Sequence, residues 1–196
     1  MVEEPGRRER KKQRTREALI AEALRLFERQ GYDRTTVAEI AAAADVSTRT
    51  FFLHFPTKED VLLANTEVRM DLGLAAVAGR RPGEQPAAVL ARAIEEMIAR
   101  TWEADLAGGP ARLRADVLAS SPAAQGRLLQ RFLAAHAELT DALLRACPEE
   151  LDRVGAAALV GGMCGAVGGA ALTSLRQGDS PEQVRDAMRR AIDPYR

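Results

Sequence analysis

Apolar residues recur along this chain at helical spacing. Ile20, Ala23, Leu24 and Phe27 fall at i, i+3, i+4 and i+7, the stripe of an amphipathic helix that runs from Thr15 to a stop at Gly31. Thr36 and Glu39 then form a capping box for a shorter helix, with Val37, Ile40 and Ala41 inward and an end near Ala43–Ala44. Asp45 and Val46 make a tight turn. Ser47 caps a third helix from Thr48 to about His54, and Phe55-Pro56 ends it. Thr57 with Asp60 caps the next. Three short helices within 55 residues, the last pair joined by a turn of three or four residues, have helix-turn-helix spacing.

The remainder predicts a helical bundle. One long helix is expected over 58–78, closed by GRRPGEQP, and a second from Pro86 to about Leu106, with Val89, Ala93, Met97 and Ile98 inward. Ala107-Gly108-Gly109-Pro110 is a turn, followed by a short helix to Ala119. Pro122 sits in the first turn of a helix to Ala146. Pro148 opens another to about Arg176, and Gly178-Asp179-Ser180-Pro181 opens the last, ending near Ile192. No strand pattern is present in the sequence. The expected fold is all-α, an amino-terminal helix-turn-helix over 1–57 and a carboxyl-terminal bundle over 58–196.

Composition supports helix and adds one asymmetry. The 196 residues are 46% hydrophobic and 29% charged, with Ala, Leu, Arg and Glu, all strong helix formers, prominent among them. The 28 basic and 28 acidic residues cancel, which excludes a uniformly basic, histone-like chain, and two cysteines exclude a disulfide scaffold. Yet RRERKKQRTR at 7–16 carries seven positive charges against one negative. Such a run, Arg14 within it, is by itself a solvated, frayed end, and gains meaning only beside a nucleic-acid site. Residues 46–58 hold no Asp or Glu but do hold Arg49, His54 and Lys58. An acid-free, capped, polar helix following a basic arm suits a duplex backbone. The first 16 residues are charged rather than apolar, so no signal peptide is read and a cytoplasmic protein is expected.

Residues 154–175 carry no charge and are long enough for a membrane span. Six of these 22 residues are glycine and only seven are large aliphatics or methionine, a weak transfer energy. Gly161, Gly165 and Gly169, four apart, line one face and let another backbone approach. The expectation is a buried helix at a dimer interface or against a ligand pocket, without membrane. Met70, Met97, Trp102, Phe132 and His136, on the middle helices, are the candidate pocket residues. No metal-ligand spacing, nucleophile elbow or phosphate-binding loop occurs in the sequence, so neither enzyme activity nor a cofactor is expected.

Residues 22–63, EALRLFERQGYDRTTVAEIAAAADVSTRTFFLHFPTKEDVLL, resemble the DNA-binding domain of the tetracycline-repressor (TetR) family. The matching elements are ALRLFERQGY, TTVAEIA, ADVS, TRTFFLHF and TKEDVL, in order and at the right spacing. The last 100 residues resemble, more loosely, regulators with an acyl-CoA-like ligand domain. The resemblance implies a homodimeric repressor that binds a palindromic double-stranded DNA operator and releases it when a small, acyl-CoA-like or apolar effector enters the bundle. It places Thr48, Arg49 and Thr50, after Ser47, on the major-groove side of the recognition helix. His54 and Lys58 would contact phosphate, with the start of the second helix at Thr35 and Thr36. Phe52 stands where the family often has a tyrosine whose hydroxyl reaches a phosphate. Two other readings stay open: a tail-anchored helical membrane protein, and a helical enzyme or carrier using the bundle pocket.

Overall fold

The structure, a computed structural model, describes residues 6–64, 66–101, 113, 116, 117 and 120–195, and all regular structure among them is helical. The chain divides into two units, Met1–Ala64 and Asn65–Arg196. The expected turn at 107–110, most of the short helix expected from there to Ala119, the end of its predecessor near Leu106, and Trp102 lie outside the described residues, while residues 113, 116 and 117 are helical.

The first unit contains α1 (Arg7–Gln30), α2 (Val37–Ala43), α3 (Thr48–His54) and α4 (Lys58–Leu62). The basic run is the first ten residues of α1, nearly three turns, and not a frayed end. Arginine and lysine are good helix formers, and the apolar-stripe criterion does not register a helix with no buried side. The buried stripe of α1 is Leu19, Ala23, Leu26 and Phe27, whereas Ile20 and Leu24 lie at its margins, half-buried. The inward face is therefore turned slightly from the predicted one. α1 packs on α2 and α4, and α2 packs on α3. Phe27, Phe51 and Phe55 fill the centre; the Phe51 and Phe55 ring centroids are 5.8 Å apart.

The predicted single helix over 58–78 is two helices, α4 and α5 (Thr66–Ala78). Val61 and Leu62 are buried, α4 lies against α1, and the division between units falls after Ala64 rather than after residue 57. The capping box of Thr57 and Asp60 was legible. The end of α4 was not, because the group that meets Ala64 comes from α1.

The second unit continues with α6 (Pro86–Thr101), α7 (Pro122–Ala146), α8 (Arg153–Gln177), α9 (Pro181–Arg190) and a 3-10 turn at Asp193–Tyr195. α5 packs on α6 and α7, α7 on α8, and α8 on α9. Val77, Leu90, Ile98, Leu139, Leu143, Val160 and Met163 form its core. α8 begins at Arg153 and not at Pro148, because Asp152 caps it through Gly155 N (2.6 Å). Gly178, at φ 78°, ends it. Arg80 ties the end of α5 to the end of α7 by donating to Ala146 O (2.6 Å) and pairing with Glu150. Hydrogen bonds from Arg92 and from the Arg81 backbone hold the Glu84 carboxyl at about 2. Burial pushes the Cys164 thiol up to about 11, so it behaves as a packing group.

α8 has two faces. Ala156, Val160, Met163 and Val167 are buried on one side. The opposite side carries Val154, 76% exposed, and Gly165, Gly168 and Gly169, beyond whose Cβ positions there is open space. Gly161 differs, since a Cβ there would meet His136 Nε2 at 3.3 Å within the same chain. By length, and by a mean hydropathy of 1.6 in its most apolar window, α8 is apolar enough to cross a membrane. The sequence-based expectation placed it further from that threshold.

Candidate nucleic-acid interface

The three short helices of the first unit are capped differently, and the difference is electrostatic. Thr36 caps α2: Glu39 N donates to its Oγ1 (3.2 Å) and Thr36 N donates to Glu39 Oε2 (2.8 Å). The same arrangement closes α4, where Thr57 N donates to Asp60 Oδ2 (3.1 Å). Each of these amino ends already holds a carboxylate, and the hydrogen bonds from Thr36 and Gln30 lower the Glu39 pKa. α3 is capped instead by a neutral serine, Ser47, whose Oγ accepts from Thr50 N (3.1 Å), and its first turn contains no acid. Of the three helices, only α3 offers its amino end to an external anion without a competing carboxylate.

The turn into α3 fixes its exit. Val46 N donates to Ala41 O (2.9 Å) and Asp45 N to Ala42 O (3.1 Å), the paired bonds of a Schellman ending. Asp45 takes the left-handed conformation there, φ 54°, which aspartate tolerates better than most residues with a side chain.

Phe51 is buried, which turns Thr48, Arg49, Phe52 and Leu53 outward. Arg49 and Leu53 are four apart and so are neighbours on one face. Leu53 is 74% exposed, the most exposed large apolar side chain of α3, and sequence reasoning missed it. The available signal was an apolar residue out of register with Phe51 and Phe55. Thr50 is half-buried, its Oγ1 2.9 Å from Ser47 Oγ.

Other expected contacts are placed differently. Thr35 is buried and its Oγ1 donates to Gly31 O (2.8 Å), so its hydroxyl supports the loop from behind and does not face outward. Thr36 is exposed, but its backbone N–H is already engaged with Glu39. Lys58 Nζ donates to Tyr32 O (2.8 Å) and Thr35 O (3.1 Å), and lies 4.0 Å from the Tyr32 ring centroid. Its ammonium, expected at a phosphate, braces the loop between α1 and α2. His54 is half-buried. Desolvation, then the positive charges of Arg16 and Lys12, lower its pKa, so at neutral pH it is an uncharged hydrogen-bonding group. Arg14 is exposed, as are Arg7, Arg8, Arg10, Lys11 and Lys12.

The residues expected to line a pocket fall into two pairs. Met70 belongs to the packed core, and Met97 Sδ occupies the space that Gly73 leaves, 2.6 Å from where a Cβ would be. Phe132, 37% exposed, stands with its ring centroid 6.3 Å from that of His136, whose Nε2 lies 2.9 Å from Ala157 O.

Residues 19–64 match the family model for bacterial regulatory proteins of the tetR family. The HTH-type transcriptional regulator TcmR of Streptomyces glaucescens is 44% identical over 104 residues, 53% of this chain and 46% of that regulator. Residues 19–64 are thus a segment of TetR type, and the chain spans less than half the length of the curated relatives it matches. The TetR-like segment takes in the helix-turn-helix, so α3 is the second helix of a DNA-binding motif of known type. The match spans less than half the length of TcmR, and the rest of that regulator gives no information about this chain. The fold of the whole chain is shared more widely. A TetR-family transcriptional regulator from Mesorhizobium loti superposes with TM-score 0.59 at 16% identity, over 94% of this chain and 96% of that one. A SmeT–triclosan complex gives TM-score 0.59 at 18% identity, over 92% and 89%.

Proposed function

We propose that this chain is a TetR-family regulator: a homodimeric, ligand-responsive repressor, cytoplasmic, that docks α3 of each protomer in successive major grooves of a palindromic operator. The capping of α3 carries the reading, because it leaves an acid-free amino end beside an outward Arg49, Phe52 and Leu53. Arg49 supplies a fork matched to guanine O6 and N7, Thr48 a hydroxyl for a base or phosphate, and Leu53 and Phe52 apolar contact for a thymine methyl. With phenylalanine at 52, the hydroxyl bond that a tyrosine would make is absent. Thr36 and Ser47 lie where the helix starts approach the backbone, and His54 donates as a neutral imidazole. Thr35 and Lys58 act through the loop they brace.

The second unit holds the effector and the partner protomer. Phe132 and His136 are the best-placed pocket residues because their side chains are not consumed by the core. Met70 and Met97 form the wall behind them. The TcmR match ends too early to name an effector, and the neighbour solved with triclosan makes small apolar molecules the first to try. The partner protomer sits on the open face of α8 at Gly165 and Gly169, flanked by the exposed Leu129 and Leu133 of α7. Gly161 is used inside the chain, against His136. That face serves a protein neighbour better than lipid, since its glycines permit close backbone approach and offer little apolar area. A chain that purifies only in detergent would favour a membrane anchor instead, and a turnover activity without DNA binding would favour an enzyme or carrier.

The DNA reading is tested by selecting duplexes from a randomised pool and repeating the selection with Arg49→Ala. The variant is expected to lose about 1–3 kcal/mol of discrimination at one base pair of each half-site, while its affinity for unrelated duplex changes little. Unchanged selectivity would remove Arg49 from base reading.

A further inference from the structure

Arg16 lies within the basic run by sequence, yet its guanidinium is turned into the protein. Nη1 donates to His54 O (3.2 Å) and Nη2 to Ala64 O (2.6 Å), across 38 and 48 residues of chain. Its Cζ lies 4.4 Å from the centroid of the buried Phe55 ring. Both acceptors are carbonyls at helix ends. His54 is the last residue of α3, and Ala64 follows the end of α4 and is the last residue of the first unit. Helix-end carbonyls lack intrahelical partners and carry the negative end of the helix dipole, so a cation there satisfies an orphan acceptor and a charge together. A guanidinium does this for two acceptors at fixed divergence while its flat face rests on an aromatic ring, and an ammonium has neither the fork nor the face.

We propose that Arg16 is a positioning residue for DNA recognition: it locks the carboxyl end of α3 to the point where the chain leaves the first unit. α3 is only two turns long, and Phe51 is its one buried residue, with Phe55 just beyond its end. The Arg16 bridge to Ala64 adds a tether at that end. It also explains why the helix predicted over 58–78 is broken near 63–64, where Ala64 O is directed to Arg16 and not into a continuing helix. The inference rests on α3 being the recognition helix.

The experiment compares wild type, Arg16→Lys and Arg16→Gln for binding to a duplex that the wild type selects from a randomised pool, across a salt series, and for amide hydrogen exchange without DNA. A positioning role predicts that both variants lose about tenfold or more in affinity. It also predicts an unchanged slope of affinity against salt, with faster exchange at the end of α3 and at residues 62–64 while the core of α1 stays protected. Arg16→Lys keeps the charge and the apolar stem, so it serves where Arg16→Gln does not fold. If Arg16 instead contacts phosphate, Arg16→Lys binds nearly as well as wild type and Arg16→Gln flattens the salt slope by about 0.9 for each protomer bound; that result overturns the proposal. Unchanged exchange at 62–64 overturns it independently of any DNA. A wild type that selects no duplex at all defeats the recognition-helix reading instead, and the exchange data then still decide whether the Arg16 bridge exists.

Discussion

Replacing Arg7, Arg8, Lys11 and Lys12 together by glutamine is expected to weaken binding to every duplex by up to about 4 × 10³-fold for each protomer bound, at 0.1 M salt, while the protein itself becomes no less stable. The two halves of that result have opposite signs for one physical reason. Six exposed cations crowd the first two turns of α1, at the positive end of the helix dipole, with Glu9 as the one acid among them. Glu9 reaches Lys12 at 3.8 Å, an exposed pair of small effect. Like charges three and four apart on a helix repel, so the turns carry their charge against local stability. A polyanion reverses the balance. Each phosphate contact is worth roughly eightfold at 0.1 M salt and contributes a slope of about −0.9, so losing four flattens the log–log salt dependence by about 3.6 for each protomer bound. Circular dichroism and melting check the stability, and titrations between 0.05 and about 0.3 M salt check the slope. An unchanged slope would make the basic turns a solvated surface only. The net charge of zero hides this division, since residues 1–16 carry +4 and the remainder −4.

Gly165→Leu with Gly169→Leu is expected to convert the protein from dimer to monomer and to abolish operator binding at concentrations where the wild type saturates. Among the described residues neither added Cβ meets anything within 4 Å, so each substitution starts into open space. Leucine also has the better helix propensity, by roughly 1 kcal/mol at each position. The isolated chain should therefore melt no earlier than the wild type. What the side chains do block is approach of a second backbone to the open face of α8. Once dimerisation is lost, a palindromic site is bound through one half-site at a time, and the gain from linking two half-sites, often 10²–10⁴-fold, disappears. Sedimentation gives the oligomeric state. A variant that remains dimeric and binds normally would place the partner elsewhere, and the exposed leucines of α7 would be next to test.

Much of the first unit was legible because its signals are local. Thr36 with Glu39, Ser47 before Thr48 and Thr57 with Asp60 announce three helix starts, and all three caps form. Features set by distant residues were not legible. The break between α4 and α5 was missed although Asn65, a residue type that favours helix starts, directly precedes Thr66, and the group that meets Ala64 O, Arg16, lies 48 residues earlier. The family resemblance implies a phosphate contact for Lys58, yet its ammonium is taken up by the carbonyls of Tyr32 and Thr35. The start of α8 was misplaced although its signal was present, since Asp152 is a better cap than anything near Pro148. In the bundle, Gly161, Gly165 and Gly169 share a face as their spacing requires, but sequence could not separate the one that His136 fills from the two left open. That distinction depends on the register between α7 and α8.

The central claim is that a dimer reads a palindrome through α3. Footprinting the wild-type protein on duplexes it selects from a randomised pool tests this most directly. The account predicts two inverted half-sites about 10–10.5 base pairs apart centre to centre, or a multiple of that, both altered at the same position by Arg49→Ala. A selected pool with no repeated half-site, or protection unaffected by substitution of Arg49, would contradict it.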